Sequence, residues 1–271
     1  MKKPPMSLAL AFIGYGEVGQ VFARQLVRAG ASVAVYDILF GAALARIAAE
    51  DGVRLAPNPQ DAIEPAEIVI SAVTADQAIA VARQAAPYLR RGQIYVDLNS
   101  VSPTSKRAVA AALGAGVDFV EFAVMSPVAG FGIAAPILAG GGRAEAVAAR
   151  LNPLGMKIDP ISAEIGVASA TKLCRSLVIK GLEAIMVDLS LAGAATGVLD
   201  GVLSSLSASY PGMDWAQVLK TMPGRVARHG VRRAAEMREA ARMLEEIGLS
   251  GAFAEAIAAR HEAYAAETRK V

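Results

Sequence analysis

The stretch that decides the fold is residues 8–37, which read LALAFIGYGEVGQVFARQLVRAGASVAVYD. An apolar run leads into a glycine-rich loop, helical periodicity follows, and a second apolar run ends at an acidic residue, Asp37. This order predicts a strand, a tight turn, a helix and a second strand, which together form a βαβ unit.

The glycine loop has the spacing Gly-x-Gly-x-x-Gly, with the residues Gly14, Tyr15, Gly16, Glu17, Val18 and Gly19. Gly14 permits the turn out of the strand, Gly16 lets a pyrophosphate lie against the backbone, and Gly19 lets the helix pack closely on the strand. The helix N-terminus offers unpaired N–H groups to the phosphates. Asp37 is placed to bond the ribose hydroxyls. We predict a dinucleotide site formed by the six loop residues and Asp37, with a ligand-free glycine turn as the alternative.

The composition narrows the class of protein. Of the 271 residues, 54% are hydrophobic and 19% are charged, which suits two domains with large cores. The net charge of +2 argues against a general nucleic-acid surface, and no apolar run is long enough to span a membrane. The single cysteine, Cys174, fits a reducing cytoplasm. Two histidines and one cysteine are too few for a structural zinc site, so we expect a soluble cytoplasmic protein without a metal.

The two halves of the chain show different patterns. Apolar strands alternate with helical segments up to about residue 160, with the last strand at 136–139, which predicts a Rossmann-type doubly wound parallel α/β sheet. From Ser162 onward the pattern is helical. Ser162 is predicted to cap a long bridging helix that runs to Thr196, and Pro223 is predicted to separate two later helices. We therefore predict a nucleotide-binding domain over 1–161 and an all-α domain over 162–271.

Two further pairs of residues are predicted to line the cofactor trough. Val73 and Thr74 follow one buried strand, and Asn99 and Ser100 follow the next. Open α/β sheets bind their ligands outside the carboxyl ends of the strands. NAD is favoured over NADP because Asp37 would repel a 2′-phosphate and the next three residues include no arginine, although NADP remains possible.

The bridging helix is predicted to be buried because it is apolar on most sides. At about 100° per residue, its polar residues share one narrow face; these are Ser169, Lys172, Ser176, Lys180 and Glu183. Lys180 and Glu183 are three apart and are expected to neutralise each other, which leaves Lys172 without a predicted partner in the helix. A lysine in a desolvated cleft has a lowered pKa and suits proton transfer. The alternative is a lysine at the helix edge that reaches into water.

Three features together resemble the β-hydroxyacid dehydrogenase family, which includes 3-hydroxyisobutyrate dehydrogenase and 6-phosphogluconate dehydrogenase. They are the glycine loop, the segment DLNSVSP at 97–103, and Gly166 followed by Lys172. The resemblance implies that Lys172 is the catalytic lysine of the family's Gly-x-x-x-x-x-Lys helix. It also implies that segment 97–103 lies near the nicotinamide, with Asn99 and Ser100 where the family has Ser-Thr.

Two segments depart from the family pattern. The family's substrate loop, Asp-x-Pro-Val-Ser-Gly-Gly, falls at residues 121–127, which read EFAVMSP and keep only the acidic start and Val124. Pro127 replaces a glycine whose N–H would grip a carboxylate. The family's Lys-x-x-Asn-Asn is KLCRS here, at 172–176. The chain looks closer to a 6-phosphogluconate dehydrogenase-like subgroup, and its predicted substrate residues include Ser100, Val124, Met125, Ser126 and Ser176.

A second candidate cluster for the substrate lies after Gly224. At about 100° per residue, one helix face carries Arg225, His229, Arg232 and Glu236. The cations can clamp a carboxylate or a phosphate. The alternative is a solvated face on which Arg232 pairs with Glu236.

These patterns predict an NAD(P)-dependent oxidoreductase that transfers hydride between nicotinamide and a secondary alcohol or carbonyl of a small acidic, hydroxyacid-like substrate. Lys172 would be the general acid/base. An imine reductase, a dinucleotide-binding sensor or partner protein without catalysis, and a methyltransferase are the alternatives. A homodimer through the helical domain is also expected, because an alanine-rich domain with few aromatic residues has a limited core of its own.

Overall fold

The computed structural model describes residues 7–269; the first six residues and the last two, which the predicted domain limits include, lie outside the described residues. The chain forms two compact units that meet in the sequence between Lys172 and Leu173. The division falls inside a helix, whereas the predicted limit of 161/162 precedes that helix. Each unit has an apolar core of its own.

The first unit is built on one eight-stranded sheet. Its strands are β1 (Ala9–Ile13), β2 (Ser32–Tyr36), β3 (Arg54–Leu55), β4 (Ile68–Ser71), β5 (Ile94–Asp97), β6 (Asp118–Val124), β7 (Pro136–Gly140) and β8 (Lys157–Ser162). They lie in the order β3-β2-β1-β4-β5-β6-β7-β8. Among these described strands, β6 and β7 form the one antiparallel pair, and all other neighbours are parallel. The Rossmann-type prediction is confirmed, and the strand order reverses between β1 and β4, where such sheets bind ligands.

Both faces of the sheet are covered. Leu10 and Phe12 of β1 belong to one apolar core, whereas Ala11 and Ile13 belong to another, because successive side chains of a strand point to opposite faces. This double burial explains the nearly continuous apolar strands. The helices of the first unit are α1 (Glu17–Arg28), α2 (Ala42–Asp51), α3 (Pro59–Ile63), α4 (Ala78–Ala85), α5 (Pro103–Ala112), α6 (Val128–Phe131) and α7 (Ala144–Leu151).

Strand β8 was missed by the sequence prediction, which placed the last strand at 136–139. β8 lies at one edge of the sheet and pairs only with β7 among the described strands. Its one fully buried residue is Ile158, so its apolar signal is weak. Pro160 weakened it further, although an edge strand tolerates the missing N–H of a proline.

Helix α8 (Val167–Thr196) is the predicted bridging helix, but it begins five residues after the predicted cap, Ser162. The carboxylate of Glu121 on β6 caps it instead: its Oε1 accepts hydrogen bonds from the backbone N–H groups of Gly166 and Ala168, at 2.6 and 3.0 Å. A carboxylate is a stronger acceptor than a hydroxyl at the positive end of a helix dipole. The cap therefore comes from a strand distant in sequence.

The second unit contains the rest of α8, with α9 (Leu199–Ser209), α10 (Trp215–Glu246) and α11 (Ala252–Thr268). The predicted break at Pro223 is wrong, because α10 continues through it. Proline removes one helical hydrogen bond, but the buried stripe of α10 runs from Trp215 and Met222 through Val226 and beyond. Packing of this stripe holds the helix together across the proline.

In the part of the chain that the structure describes, no helix is both long enough and apolar enough to cross a membrane. Within the same residues, no group of three or more His, Cys, Asp or Glu side chains is arranged to hold a metal ion.

Candidate functional site

The glycine loop has the geometry that its spacing predicts. Gly14 has φ +95°, and a Cβ there would lie 2.3 Å from the carbonyl oxygen of Ala72. A Cβ on Gly19 would lie 2.4 Å from the carbonyl oxygen of Gly14. No atom lies within 4 Å of a Cβ built on Gly16. The loop is therefore tightly packed at its first and third glycines and open at its second, where α1 begins.

Each polar group of Tyr15 forms a hydrogen bond with a neighbouring residue. Its N–H donates to Asp37 Oδ2 at 2.7 Å, and its carbonyl accepts from Gln20 Nε2 at 2.9 Å. Its buried hydroxyl donates to Asp51 Oδ2 at 2.6 Å, and Asp51 also pairs with Arg24. Burial and the Asp51 carboxylate raise the pKa of Tyr15. The side chain of Tyr15, a predicted cofactor residue, thus points into the core and anchors the glycine loop there.

Asp37 follows β2 and accepts two backbone hydrogen bonds, one to each carboxylate oxygen. The donors are the N–H of Tyr15 and, at 2.9 Å, the N–H of Leu39. Each oxygen keeps a second lone pair that can accept from a ribose hydroxyl. Glu17 is exposed and Val18 is half-buried in the first turn of α1, so these predicted residues lie beside the open glycine.

The predicted residues after β4 and β5 are brought together by the side chain of Asn99. Its Oδ1 accepts from the N–H of Val73 at 2.8 Å, and its Nδ2 donates to Ser71 Oγ at 3.1 Å. Thr74 is exposed and Ser100 is half-buried beside them. β4 pairs with both β1 and β5, so the three carboxyl-end loops are neighbours and form one trough.

The predicted substrate residues after β6 lie next along the same edge of the sheet, since β6 pairs with β5. Val124, Met125 and Ser126 are all half-buried, and the N–H of Met125 donates to the carbonyl of Pro136 at 2.8 Å. Glu121, the acidic start of this segment, is fully buried as the cap of α8. Its carboxylate thus caps the N-terminus of α8.

Lys172 is half-buried in the second turn of α8. Gly166, six residues earlier, has φ +109°, and a Cβ there would lie 2.7 Å from Arg107 Nη1 and 3.0 Å from Pro103 Cβ. Glycine is therefore required at this position, where α8 approaches the start of α5. The Gly-x-x-x-x-x-Lys spacing thus combines a close approach of the backbone with a lysine about one and two-thirds turns later.

The predicted pairing of Lys180 with Glu183 is wrong. Lys180 pairs with Glu236 of α10 at 3.0 Å, and Glu183 pairs with Arg233 of the same helix at 2.6 Å. Buried charges on α8 find better-aligned partners on a packed neighbouring helix than along their own helix. Ser176, a predicted substrate residue, is buried and donates its hydroxyl hydrogen to Glu236 Oε1.

The two arginines and the histidine of the second predicted cluster, Arg225, Arg232 and His229, are all exposed on α10. Glu236, which was predicted to share their face, bonds Ser176 and Lys180. The positive charge of Arg225 helps to lower the pKa of Glu183, although burial dominates and raises it.

One buried charged residue near the trough was missed by the sequence prediction. Lys106 of α5 is almost fully buried, and its Nζ lies 3.1 Å from Asp97 Oδ2. A signal was available, because Ser102, Val109 and Leu113 are also buried and their spacing with Lys106 follows one face of a helix. Helical periodicity thus indicated a buried lysine that would need a partner.

Two family models match the chain. The model described as the NAD binding domain of 6-phosphogluconate dehydrogenase matches residues 9–158, which is more than half of the 271 residues. A domain of unknown function (DUF1932) matches residues 194–264.

The similarity to known proteins extends over most of the chain. A solved structure of a conserved hypothetical protein from Sinorhizobium meliloti 1021 is 38% identical, with a TM-score of 0.83 over 97% of this chain and 90% of that one. The 3-hydroxyisobutyrate dehydrogenase of Pseudomonas aeruginosa is 28% identical over 92% of this chain and 86% of its own length. The NAD-dependent L-serine dehydrogenase of the same organism is 28% identical over 79% of this chain and 74% of its own length.

Proposed function

The chain belongs to the family defined by the NAD binding domain of 6-phosphogluconate dehydrogenase, and from this premise we propose that it interconverts a small 3-hydroxy acid and its carbonyl form. The names of two similar proteins, a 3-hydroxyisobutyrate dehydrogenase and an L-serine dehydrogenase, support this substrate class. Both names denote a carboxylic acid with a hydroxyl on its third carbon. The observation that carries the proposal is the Glu121 cap, which ties the helix of Lys172 to the trough side of the sheet.

The trough fits a dinucleotide on three observations. The backbone at Gly16 is open to an approaching group, whereas the neighbouring glycines are closed by protein atoms. α1 begins at this point, so its N–H groups and dipole favour a pyrophosphate. Asp37 lies at the end of the adjacent strand with spare acceptor capacity. When bound, the dinucleotide supplies the acceptor or donor of hydride.

NAD is the proposed cofactor, and its support is the surroundings of Asp37. The carboxylate is held in place by two N–H groups, so it would face the 2′ position of the ribose as a fixed negative charge. The three residues after it, Ile38, Leu39 and Phe40, are exposed and apolar. A 2′-phosphate would therefore meet a carboxylate and no guanidinium in this loop.

Lys172 is the proposed general acid/base. When the alcohol is oxidised, the carbon loses a hydride and the hydroxyl loses a proton, and the neutral amine of Lys172 receives that proton. In the reverse direction the ammonium returns it to the carbonyl oxygen. The support is positional: Asp97 and Glu121 are paired in the sheet, Glu121 holds the N-terminus of α8, and Lys172 follows Ala168 by one turn.

Two alternative sets of residues are candidates for binding the acidic group of the substrate, one in each unit. Ser126 and Met125, which follow β6, are half-buried at the edge that carries the trough. Arg225 and Arg232 of α10 are solvent-exposed cations that can form charge-assisted bonds to a carboxylate, and His229 is exposed on the same helix. The substrate-binding roles of both sets of residues stay predictions. The location in a reducing cytoplasm, expected from the single cysteine, also stays a prediction.

A turnover panel followed by nicotinamide absorbance tests the proposed function. Purified protein is given NAD or NADP with 3-hydroxy acids, and NADH or NADPH with the matching carbonyl acids and with cyclic imines. We expect turnover with a 3-hydroxy acid and NAD. Turnover restricted to imines would identify an imine reductase instead. NADH binding without turnover on any substrate would identify a sensor. Thermal stabilisation by S-adenosylmethionine but not by NADH would indicate a methyltransferase.

A further inference from the structure

The buried ion pair between Lys106 and Asp97 has no part in the chemistry proposed above. Both side chains are buried, and the Lys106 ammonium faces three acceptors. Its Nζ lies 3.1 Å from Asp97 Oδ2, 2.9 Å from the Asp97 carbonyl oxygen and 3.4 Å from the Phe122 carbonyl oxygen. The ammonium therefore donates hydrogen bonds to the two carbonyl oxygens and forms an ion pair with the carboxylate. Lys106 thus joins the first turns of α5 to the ends of β5 and β6.

The second carboxylate oxygen of Asp97 leads from this ion pair to the trough. Asp97 Oδ1 accepts from the backbone N–H of Asn99 at 3.2 Å and also from its side-chain Nδ2. With its Nδ2 directed there, Asn99 presents Oδ1 to the N–H of Val73. The carboxylate thereby favours one orientation of the Asn99 amide, and the amide bridges the loops after β4 and β5.

A purely structural role explains this arrangement poorly. Burying two charges costs desolvation energy that their attraction repays only in part, and a well-packed apolar pair in the same place is often at least as stable. Buried ionic groups are instead well suited to fixing one arrangement of the polar groups around them. Here the group that is fixed is the Asn99 amide, which replaces the serine of the family pattern.

We propose that Lys106 is a positioning residue for the nicotinamide half of the cofactor, acting through Asp97 and Asn99. The ammonium holds the Asp97 carboxylate, the carboxylate orients the Asn99 amide, and the amide clamps the two loops that wall the trough. This inference rests on the proposed function only in that the trough binds a dinucleotide. It predicts that an uncharged residue at 106 weakens dinucleotide binding without touching the dinucleotide.

A double-mutant cycle on the full-length protein tests the inference, with NADH titrated by its fluorescence. We expect Lys106→Met to weaken NADH binding about 10-fold. Asn99→Leu, which leaves the ion pair intact, should weaken it by a similar factor. The double variant should bind no more weakly than Asn99→Leu alone, because Lys106 acts through Asn99. If Lys106→Met does not fold, Lys106→Gln replaces it, because this substitution removes the charge but keeps two N–H donors. The results expected for Lys106→Gln are the same.

Arg233→Met is the matched control, since Arg233 is also a largely buried cation paired with a buried carboxylate. It should lower the melting temperature but leave the NADH dissociation constant within about twofold of the wild type. The inference is overturned if Lys106→Met melts earlier yet binds NADH like the wild type, or if the two substitutions weaken binding additively. A wild-type protein that binds no dinucleotide would overturn the proposed function as well, so the two failures are distinguishable.

Discussion

Glu121 and Gly166 are joined by the hydrogen bond that fixes the start of α8. The N–H of Gly166 donates to Glu121 Oε1 at 2.6 Å, and because Gly166 has no side chain, its backbone can approach Pro103 and Arg107. This contact links β6 to the helix that carries Lys172. The position of the proposed catalytic lysine therefore depends on a buried carboxylate 51 residues before it in the chain.

Glu121→Gln tests that dependence. Glutamine can keep one oxygen acceptor for the helix, but its amide nitrogen would be a buried donor where Glu121 Oε2 has no hydrogen-bond partner among the described residues. We expect the free energy of unfolding to fall by about 1–3 kcal/mol and kcat to fall about 10- to 100-fold, as judged by denaturant melts and initial rates. Glu164→Gln, at an exposed position in the turn before α8, is the control. A wild-type kcat in Glu121→Gln would show that the cap does not position Lys172.

Cofactor choice is predicted to depend on the charge of Asp37. Asp37→Asn keeps one oxygen acceptor and removes the negative charge that would oppose a 2′-phosphate. The ratio of kcat/KM for NADP to that for NAD should rise about 10-fold, as measured in parallel assays with both cofactors. Glu50→Gln, an exposed neutralisation on α2, should leave the ratio unchanged. An unchanged ratio in Asp37→Asn would remove the reason for favouring NAD.

The first unit could be predicted from the sequence because its signals are local. The glycine loop, Asp37 and the apolar strands are each recognised from a few neighbouring residues, and their alternation with helices predicts a doubly wound sheet. Asn58 shows the same short range, because its side-chain oxygen caps α3 by accepting a hydrogen bond from the N–H of Asp61, three residues later. Such short-range rules predict the strands of the sheet as far as β7.

The features that were missed depend on contacts between distant residues. Ser162 was a plausible cap for α8, but the acceptor that caps it is Glu121, on another strand. The spacing of Lys180 and Glu183 predicts a pair within α8, yet both residues pair with residues of α10. The predicted break at Pro223 does not occur, because packing on both sides of the proline keeps α10 continuous. No local pattern specifies a partner fifty residues away.

Acid should destabilise the protein through His261. Burial, together with the smaller effect of the nearby Arg233 and Lys180 charges, lowers the pKa of His261 from its ordinary 6.5 to about 4. Between pH 6.5 and 4, His261 therefore binds a proton in the unfolded chain but not in the folded chain. The contribution of neutral His261 to the free energy of unfolding is fully present above about pH 6.5 and is lost as the pH falls towards 4. The expected loss is about 3 kcal/mol.

His261→Gln isolates this effect. The glutamine amide can still donate to the Lys180 carbonyl, which His261 Nε2 contacts at 3.1 Å, but it does not titrate. Burial raises the pKa of Glu183, which acts in the opposite sense, so the quantity to compare is the difference between the two proteins in denaturant melts at each pH. Parallel pH profiles for wild type and His261→Gln would contradict the assignment.

A homodimer through the helical unit is predicted from its exposed apolar side chains. On α8, Val178 is 68% and Ile185 54% exposed, and Phe253 of α11 is 65% exposed. Val178 and Ile185 are seven residues apart and share a helix face. Light scattering at micromolar concentration should give a dimer that Ile185→Lys converts to a folded monomer, whereas Ile38→Lys, at an exposed apolar position in the first unit, should stay dimeric. A monomeric wild type would contradict this expectation.

The role of Lys172 is tested most directly by comparing kcat with cofactor affinity in Lys172→Ala, with Lys157→Ala, at an exposed position on β8, as the control. Removal of a general acid/base typically costs about 10²- to 10⁴-fold in rate. We predict a loss of kcat in that range for Lys172→Ala, with an NADH dissociation constant within about twofold of the wild type and a control that matches the wild type in both. Turnover by Lys172→Ala within a few-fold of the wild type would contradict the assignment of Lys172 as the residue that moves the proton.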